Sequence, residues 1–247
     1  MDTGVVTAGG LVERSLGRAR ALGLLSELDA ETGPGATTVY GEPGSPVPDA
    51  AGPGVAEMAS RLEASPTGYV LFRSHDRAVA LLPPFPVPQG GQADGWDTTR
   101  IWKLMSRDHF LGVVLMRLGR LAVGVFHGES LVSSKTGSRY VKGRHSAGGT
   151  SQKRFQRIRE KQAREMFDKT CQVVKQQFDP YLARLDYVLL GGERHTLGAF
   201  VKRCGYMDAL APSTVDRVLD VREPGLRTLR ACIATVWETR VLSAGAA

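Results

Sequence analysis

The positive charge of this sequence is concentrated in one block near its middle. Residues 135–164 contain ten Lys or Arg residues and one acidic residue, Glu160, although the whole 247-residue chain has a net charge of only +7. The rest of the chain is therefore slightly acidic. A localised basic block is typical of a surface that binds a dense polyanion such as RNA. The alternative is a solvated basic helix that has no partner.

Inside this block, a flexible loop leads into a predicted long helix over residues 151–178. Gly148 and Gly149 precede the helix, and Gln152 falls in its first turn. Backbone without Cβ atoms can enter a narrow cavity, and a helix N-terminus carries a positive partial charge. The next cations are spaced by three, four and three residues, so they share one helix face. They are Arg154, Arg157, Lys161 and Arg164.

The segment Gly-Gly-Thr-Ser-Gln at 148–152, followed by Arg154-Phe155, resembles the Vms-like release factors, particularly their actinobacterial type. It resembles more distantly the Gly-Gly-Gln central domain of eukaryotic and archaeal class I peptide-release factors. The similarity covers roughly residues 108–241. Val-Gly-Val-Phe at 123–126 and Gly-Ser-Arg-Tyr-Val at 137–141 strengthen it.

The resemblance implies a peptidyl-tRNA hydrolase that releases nascent chains from stalled large ribosomal subunits in ribosome-associated quality control. Its partners would be the large subunit, its rRNA and peptidyl-tRNA, with no cofactor and a monomer off the ribosome. The implied catalytic residues are Gly148, Gly149, Ser151 and Gln152. The implied RNA-binding residues are Arg139, Lys142, Arg144, Lys153, Arg154, Arg157, Lys161 and Arg164.

A glutamine amide has no useful pKa, so Gln152 would orient water rather than act as a base. In an alignment on Arg154-Phe155, the glutamine of a standard release factor falls on Thr150, whereas Gln152 lies two residues later. Eukaryotic members of the Vms-like group are thought to cut tRNA near its 3′ end. An endonuclease acting on the CCA end and a non-catalytic RNA-binding factor are therefore the alternatives.

Other candidate residues carry less weight. Gly90-Gly91-Gln92 lies in a predicted loop with no basic helix behind it, so it is rejected as the site. The five histidines lack metal-ligand spacing, although His145 in the basic loop could contact phosphate or transfer a proton. The three cysteines, Cys171, Cys204 and Cys232, contain no CxxC pair and are predicted to pack in the core of a cytoplasmic protein. No apolar run approaches the length of a membrane span.

The pattern predicts an α+β protein of two domains, with a mixed, largely antiparallel sheet packed against long helices. Residues 1–100 would form a small α+β domain with a disordered Gly/Pro-rich loop at 33–54, and 101–247 the release-factor-like domain. The predicted helices lie at 11–28, 151–178, 193–204 and 225–241. The predicted strands lie at 69–72, 78–82, 110–117, 121–126, 130–134, 139–142 and 185–190.

Overall fold

The computed structural model describes residues 5–6, 11–30, 35–48, 54–138 and 150–245. The chain divides into two compact units. The first unit holds the chain up to Asp108 together with the segment from Ala234 onward, and the second unit holds His109–Ile233. The first unit therefore contains both ends of the chain.

The first unit is built on a seven-stranded sheet in which every pair of neighbours is antiparallel. Its strands in chain order are β1 (Val5–Val6), β2 (Val12–Leu16), β3 (Thr37–Gly41), β4 (Tyr69–Arg73), β5 (Arg77–Leu82), β6 (Gly91–Asp94) and β12 (Thr239–Gly245). Their spatial order is β1-β2-β12-β5-β4-β3-β6. The C-terminal strand therefore lies inside the sheet, between β2 and β5.

Three helices cover this sheet: α1 (Arg18–Asp29), α2 (Val55–Glu63) and α3 (Thr99–Ser106). Alternate residues of a strand point to opposite faces, and β4 shows how this separates two cores. Val70 and Phe72 join the core formed with α1 and α3, whereas Tyr69 and Leu71 join the core formed with α2. The first unit thus has a helix layer on each face of its sheet.

The second unit is built on a five-stranded mixed sheet of order β11-β10-β7-β8-β9. The strands are β7 (Phe110–Arg117), β8 (Arg120–His127), β9 (Ser130–Ser138), β10 (Leu185–Gly192) and β11 (Thr214–Leu219). Strands β7, β8 and β9 form an antiparallel meander, and β10 runs parallel to both β7 and β11. Among the described residues, β9 pairs with β8 alone and forms one edge of the sheet.

The helices of the second unit are α4 (Thr150–Phe178), α5 (Arg194–Arg203), α6 (Tyr206–Leu210) and α7 (Leu226–Val236), the last of which ends beyond the unit's boundary. Helices α4 and α5 share a core with the β7 and β8 side chains that face them. On the opposite face of the sheet, a Cβ added at Gly124 in β8 would meet Leu229 of α7. Both faces of this sheet are therefore covered as well.

Several predicted elements are confirmed. The hairpin at 69–82 appears as β4 and β5, and the hairpin at 110–126 as β7 and β8. The long helix begins at Thr150 and ends at Phe178, within one residue of its predicted start. The predicted strand at 185–190 and the predicted helix at 193–204 are present as β10 and α5. The predicted strand at 139–142 lies outside the described residues.

Two predicted helices are partly wrong because both contain strands that pair far along the chain. The predicted helix at 11–28 is split by Gly17 into β2 and α1, and the predicted helix at 225–241 is split into α7 and β12. Strand β12 pairs with β2, which is more than 200 residues earlier, over Thr239–Ser243. Local helical periodicity contains no information about a strand partner so far away in the sequence. The tertiary pairing overrides the local helical preference.

The Gly/Pro-rich segment at 33–54 is not irregular throughout, because Thr37–Gly41 forms β3 with Val39 and Tyr40 buried. β-Branched and aromatic residues at these positions favour a strand once β4 and β6 supply partners on both sides. The structure also differs from the predicted domain boundary at residue 100. Most of helix α3, from Ile101 onward, and strand β12 fall in the predicted second domain but in the first compact unit.

Among the described residues, no helix is both long enough and apolar enough to cross a bilayer.

Candidate nucleic-acid interface

Helix α4 is longer than the sheet on which it packs. Its 29 residues span about 44 Å, whereas an eight-residue strand spans about 26 Å. Among the side chains of this helix that the structure describes, Met166 is the first that is fully buried. Its sulfur accepts a hydrogen bond of 3.1 Å from the N–H of Gly119, which lies in the turn between β7 and β8. Residues 150–165, here called the arm, precede this contact and run about 24 Å at 1.5 Å per residue.

The arm is solvent-exposed over most of its described side chains. Residues 154–158, Glu160 and Lys161 are all exposed, and Arg159 is half-buried. The arm contains six Lys or Arg residues and two Glu, so it is strongly positive. One of the two acids, Glu160, accepts a hydrogen bond from the Gln156 amide at 3.0 Å.

The four cations predicted to share a face, Arg154, Arg157, Lys161 and Arg164, are all exposed. They are called the basic stripe below. At about 100° per residue, the stripe lies on the side of α4 opposite the core residues Met166, Thr170 and Val174. The part of α4 that packs on the sheet therefore fixes the direction in which the stripe points.

Residues 166–178 of α4, here called the root, pack on the sheet with one face. A disulfide between Cys171 and Cys204, whose Cα atoms are 5.5 Å apart, joins the root to α5. The prediction that these two cysteines pack in the core is confirmed, because Cys204 is buried and Cys171 packs against the same core. The absence of a CxxC pair, which gave no indication of a disulfide, was misleading. The two cysteines lie 33 residues apart, and only the folding of α5 back onto α4 brings them together. Cys232 is a buried free thiol, as predicted, and burial raises its pKa to about 12.

An ion pair reinforces the same junction one turn earlier. The Arg203 guanidinium donates two hydrogen bonds to the Asp168 carboxylate, at 2.6 and 2.8 Å. The hydrogen bond from Arg203 lowers the pKa of the Asp168 carboxyl below its usual value. This bidentate geometry resists rotation of one helix against the other. At the end of α4, the Tyr206 hydroxyl donates to Asp179 at 2.8 Å, and burial raises the pKa of Tyr206 to about 12.

The predicted apolar stripe of α4 is correct only for the root. Met166, Phe167, Val174 and Phe178 are buried, whereas Phe155 and Ile158 are each 38% exposed. The reason is geometric, because these two residues lie on the arm, beyond the contact with the β7–β8 turn.

The remaining predicted site residues are the first residues of the arm and residues that precede it in the sequence. Helical backbone is present from Thr150, which places Gln152 in the first turn with Ser151 and Lys153 beside it. Gly148, Gly149, Arg139, Lys142, Arg144 and His145 lie outside the described residues.

The rejected motif Gly90-Gly91-Gln92 lies in the first unit. The prediction of a loop is wrong there, because Gly91 and Gln92 open strand β6 and Gln92 pairs with Val39 of β3. The Gly90 N–H donates to the Glu42 carboxylate at 2.9 Å, and the Arg100 guanidinium lies beside Gly91. In the described part of the chain, no group of three or more His, Cys, Asp or Glu side chains could hold a metal ion.

Comparison with known proteins shows which family this chain matches. Residues 109–242, more than half of the chain, match the family described as the Actinobacteria/chloroflexi VLRF1 release factor. Peptide chain release factor subunit 1 of Methanosphaera stadtmanae is 34% identical over 90 residues, which cover 36% of this chain and 22% of that relative. The chain thus spans much less than half the length of this relative.

Two solved structures are also similar. The archaeal translation termination factor aRF1 aligns with a TM-score of 0.42 and 17% identity over 90% of this chain and 73% of its own. The Vms1 mitochondrial localization core aligns with a TM-score of 0.41 and 14% identity over 73% of this chain and 78% of its own.

The family match places this chain among the release-factor-like proteins. The chain belongs to the Actinobacteria/chloroflexi VLRF1 release factor family. The resemblance expected from residues 148–155 is thereby confirmed, and its predicted extent of 108–241 agrees closely with the matched range of 109–242.

Proposed function

We propose that this protein is a peptidyl-tRNA hydrolase that releases nascent chains from stalled large ribosomal subunits in the cytoplasm. The observation that carries the proposal is the arm, a positively charged helix that extends past its sheet with Gln152 in its first turn. A rigid cationic rod can reach into an RNA-lined cavity while the rest of the protein stays outside it. Membership of a release factor family supports the same reading.

In this proposal the basic stripe pairs with phosphates of rRNA and tRNA and sets the depth and direction of the arm. Arg139, Lys142, Arg144 and Lys153 would add further phosphate contacts around the tip. The root holds the stripe in place, since the disulfide and the Asp168–Arg203 pair fix α4 against α5. The energy of binding would be used to position the first turn.

The chemical step requires one water molecule. Its oxygen attacks the ester carbonyl carbon, the bond between that carbon and the ribose oxygen breaks, and a water proton passes to the departing ribose oxygen. The Gln152 amide would orient the water through its carbonyl oxygen and donate a hydrogen bond through its nitrogen. The glycines at 148 and 149 and Ser151 would give the tip the room and the backbone geometry for this approach.

The test uses purified large subunits that carry peptidyl-tRNA, with both the peptide and the tRNA 3′ end analysed. Gln152→Ala should slow release by roughly 100-fold or more, since it removes a preorganised polar group at the reacting centre. Binding to the subunits should be unchanged. The matched control is Gln172→Ala, because Gln172 is an exposed glutamine on the root of the same helix.

Each alternative function predicts a different result in this assay. An intact CCA end on the released tRNA means ester hydrolysis, whereas a shortened end means that a phosphodiester bond was cut. Equal release by the wild type and by Gln152→Ala would remove the catalytic assignment. The protein would then be assigned as a non-catalytic RNA-binding factor.

A further inference from the structure

The disulfide between Cys171 and Cys204 joins two sulfur atoms that differ in their access to solvent. Cys171 is half-buried on α4, and its neighbours Gln172 and Lys175 on the same helix are exposed. Cys204 is only 1% exposed at the end of α5 and belongs to the core that α5 shares with α4. A thiol or a disulfide in solution can therefore approach the bond from the side of Cys171, whereas the core shields Cys204.

The junction between α4 and α5 does not depend on the disulfide alone. Phe167 of α4 and Phe200 of α5 are buried in the shared core, and their ring centroids lie 6.4 Å apart. The Asp168–Arg203 ion pair adds a polar contact, although ion pairs as exposed as this one contribute little to stability. The second unit should therefore stay folded when the disulfide is reduced. The two helices would then lose the cross-link between them.

Disulfides of proteins that work in a reducing compartment are seldom permanent. A protein that acts on ribosomes in the cytoplasm, as proposed above, meets thiol reductants that keep most cysteine pairs reduced. A disulfide with one accessible sulfur is also more labile than one that is sealed in a core. Both arguments favour a bond that forms and breaks over a fixed structural bond.

We propose that Cys171 and Cys204 form a reversible redox pair in which Cys171 reacts with external disulfides and Cys204 resolves the intermediate. The Cys171 thiolate attacks a low-molecular-weight disulfide, which forms a mixed disulfide and releases one thiolate. The Cys204 thiolate then attacks the Cys171 sulfur, closes the bond and releases the second thiolate. Two electrons pass from the protein to the external disulfide, and the two cysteine protons end on the released thiols. A dithiol reductant reverses these steps.

The redox state would control how firmly the root holds the arm. Cys171 follows Met166, the first residue of the root, by five residues. The disulfide therefore acts on the part of α4 that sets the direction of the basic stripe. Ordering a loose surface on binding costs conformational entropy, so the oxidised form should bind RNA more tightly than the reduced form. This consequence rests on the proposed function, because it takes RNA as the ligand of the arm.

The first experiment follows the thiol chemistry of the full-length native protein by intact-mass spectrometry. Cys204→Ser incubated with oxidised glutathione should gain one glutathione, because Cys171 stays reachable and has no resolving partner. Cys171→Ser should gain it at least about tenfold more slowly, since Cys204 is buried. Wild-type protein that has been reduced should return to the disulfide form without a bound glutathione. The buried thiol of Cys232 is the internal control and should stay unmodified in all three proteins.

The second experiment compares the oxidised and the dithiol-reduced wild type in binding to large ribosomal subunits over a range of salt concentrations. Reduction should weaken binding by about three- to tenfold. The slope of log affinity against log salt should not change, because no cation is lost. The control is Cys171→Ser with Cys204→Ser, which should bind like the reduced wild type whether or not reductant is present.

The proposal is overturned if a dithiol reduces the wild type only after unfolding, or if both single variants gain glutathione at the same rate. Equal binding by the oxidised and reduced wild type would also overturn it. The wild-type measurements do not require either variant to fold, and none of these outcomes depends on hydrolysis. Failure of Gln152→Ala to slow release would contradict the proposed function while leaving the redox pair measurable.

Discussion

Phe178, the last residue of α4, shows how closely this helix approaches its sheet. The ring is fully buried against Gly112 of β7, and a Cβ at Gly112 would lie 2.6 Å from the ring's Cζ atom. Because a buried ring cannot move without disturbing its neighbours, we expect Gly112→Ala to lower the free energy of unfolding by about 1–3 kcal/mol. Urea-induced unfolding followed by circular dichroism measures this change.

The control for this substitution is Gly198→Ala in α5. A Cβ at Gly198 would meet no heavy atom within 4 Å. Alanine is favoured over glycine inside a helix, so this variant should be more stable than the wild type by about 0.5–1 kcal/mol. If Gly112→Ala proved as stable as the wild type, the close approach of Phe178 to β7 would be refuted.

The three cysteines give a second prediction at the level of single residues. Cys171 and Cys204 are joined, and burial raises the pKa of the Cys232 thiol to about 12. The thiolate is the reactive form, so native oxidised protein should show no rapidly reacting thiol at neutral pH. Titration with a chromogenic disulfide reagent should detect one thiol in the unfolded protein, and three when the unfolded protein has been reduced and the reductant removed before titration.

Cys171→Ala serves as the control for that count, because it frees Cys204. The unfolded variant should then show two thiols without reductant. Three thiols in unfolded wild-type protein that has met no reductant would contradict the disulfide.

Single residues differed in how far the sequence could reveal them. The positions of Gln152 and the basic stripe on one helix follow from local spacing, because they depend only on the periodicity of that helix. The catalytic role of Gln152 stays a prediction from the family resemblance. The bond between Cys171 and Cys204 depends on the path by which α5 returns to α4, and no local pattern encodes that path. The exposure of Phe155 was missed for a similar reason, because it depends on where the neighbouring sheet ends.

At the scale of elements, the long helix α4 was predictable from the sequence, but the extension of its arm past the sheet was not. Apolar spacing and the preceding glycines marked α4 almost to the residue. The length of the arm depends on where the sheet under α4 ends. The contact of Met166 with Gly119 marks that point. The short strand β3 was hidden by surrounding glycine and proline, because its stability comes from pairing with β4 and β6.

The charge of the basic stripe leads to a prediction about how α4 binds RNA. Arg157→Glu with Lys161→Glu should weaken binding to large subunits and flatten its dependence on salt by about one to two units of slope, since fewer counterions are released. The control is Lys169→Glu with Lys175→Glu, which changes the net charge equally at exposed positions on the root. An unchanged slope for the stripe variant would show that these cations do not contact phosphate.

At the scale of the whole molecule, strands from the beginning and the end of the sequence pair in one sheet. Strand β12 fills the gap between β2 and β5, so the first unit is incomplete without the last residues of the chain. Arg18 reinforces this pairing within the same unit. Its guanidinium lies 4.0 Å from the centre of the Trp237 ring, donates to the Met105 carbonyl at 3.0 Å and pairs with Asp108 at 2.6 Å.

This pairing predicts how fragments should fold. Residues 109–233 carry a complete five-stranded sheet with its own core, so this fragment should fold alone. Residues 1–108 lack β12, which leaves β2 and β5 without their shared partner and exposes the cores on both faces. That fragment should not unfold cooperatively on heating, as followed by circular dichroism.

A rearranged fragment tests whether the missing strand is the cause. Antiparallel pairing of Thr239 with Leu16 and of Ser243 with Val12 brings the end of β12 next to the start of β2. Residues 234–245, joined through a short Gly/Ser linker to residues 11–108, should therefore restore a cooperative transition. If residues 1–108 melt cooperatively without that addition, the C-terminal strand is dispensable, and a domain boundary near residue 100, as expected from the sequence, describes the folding units better than the strand order does.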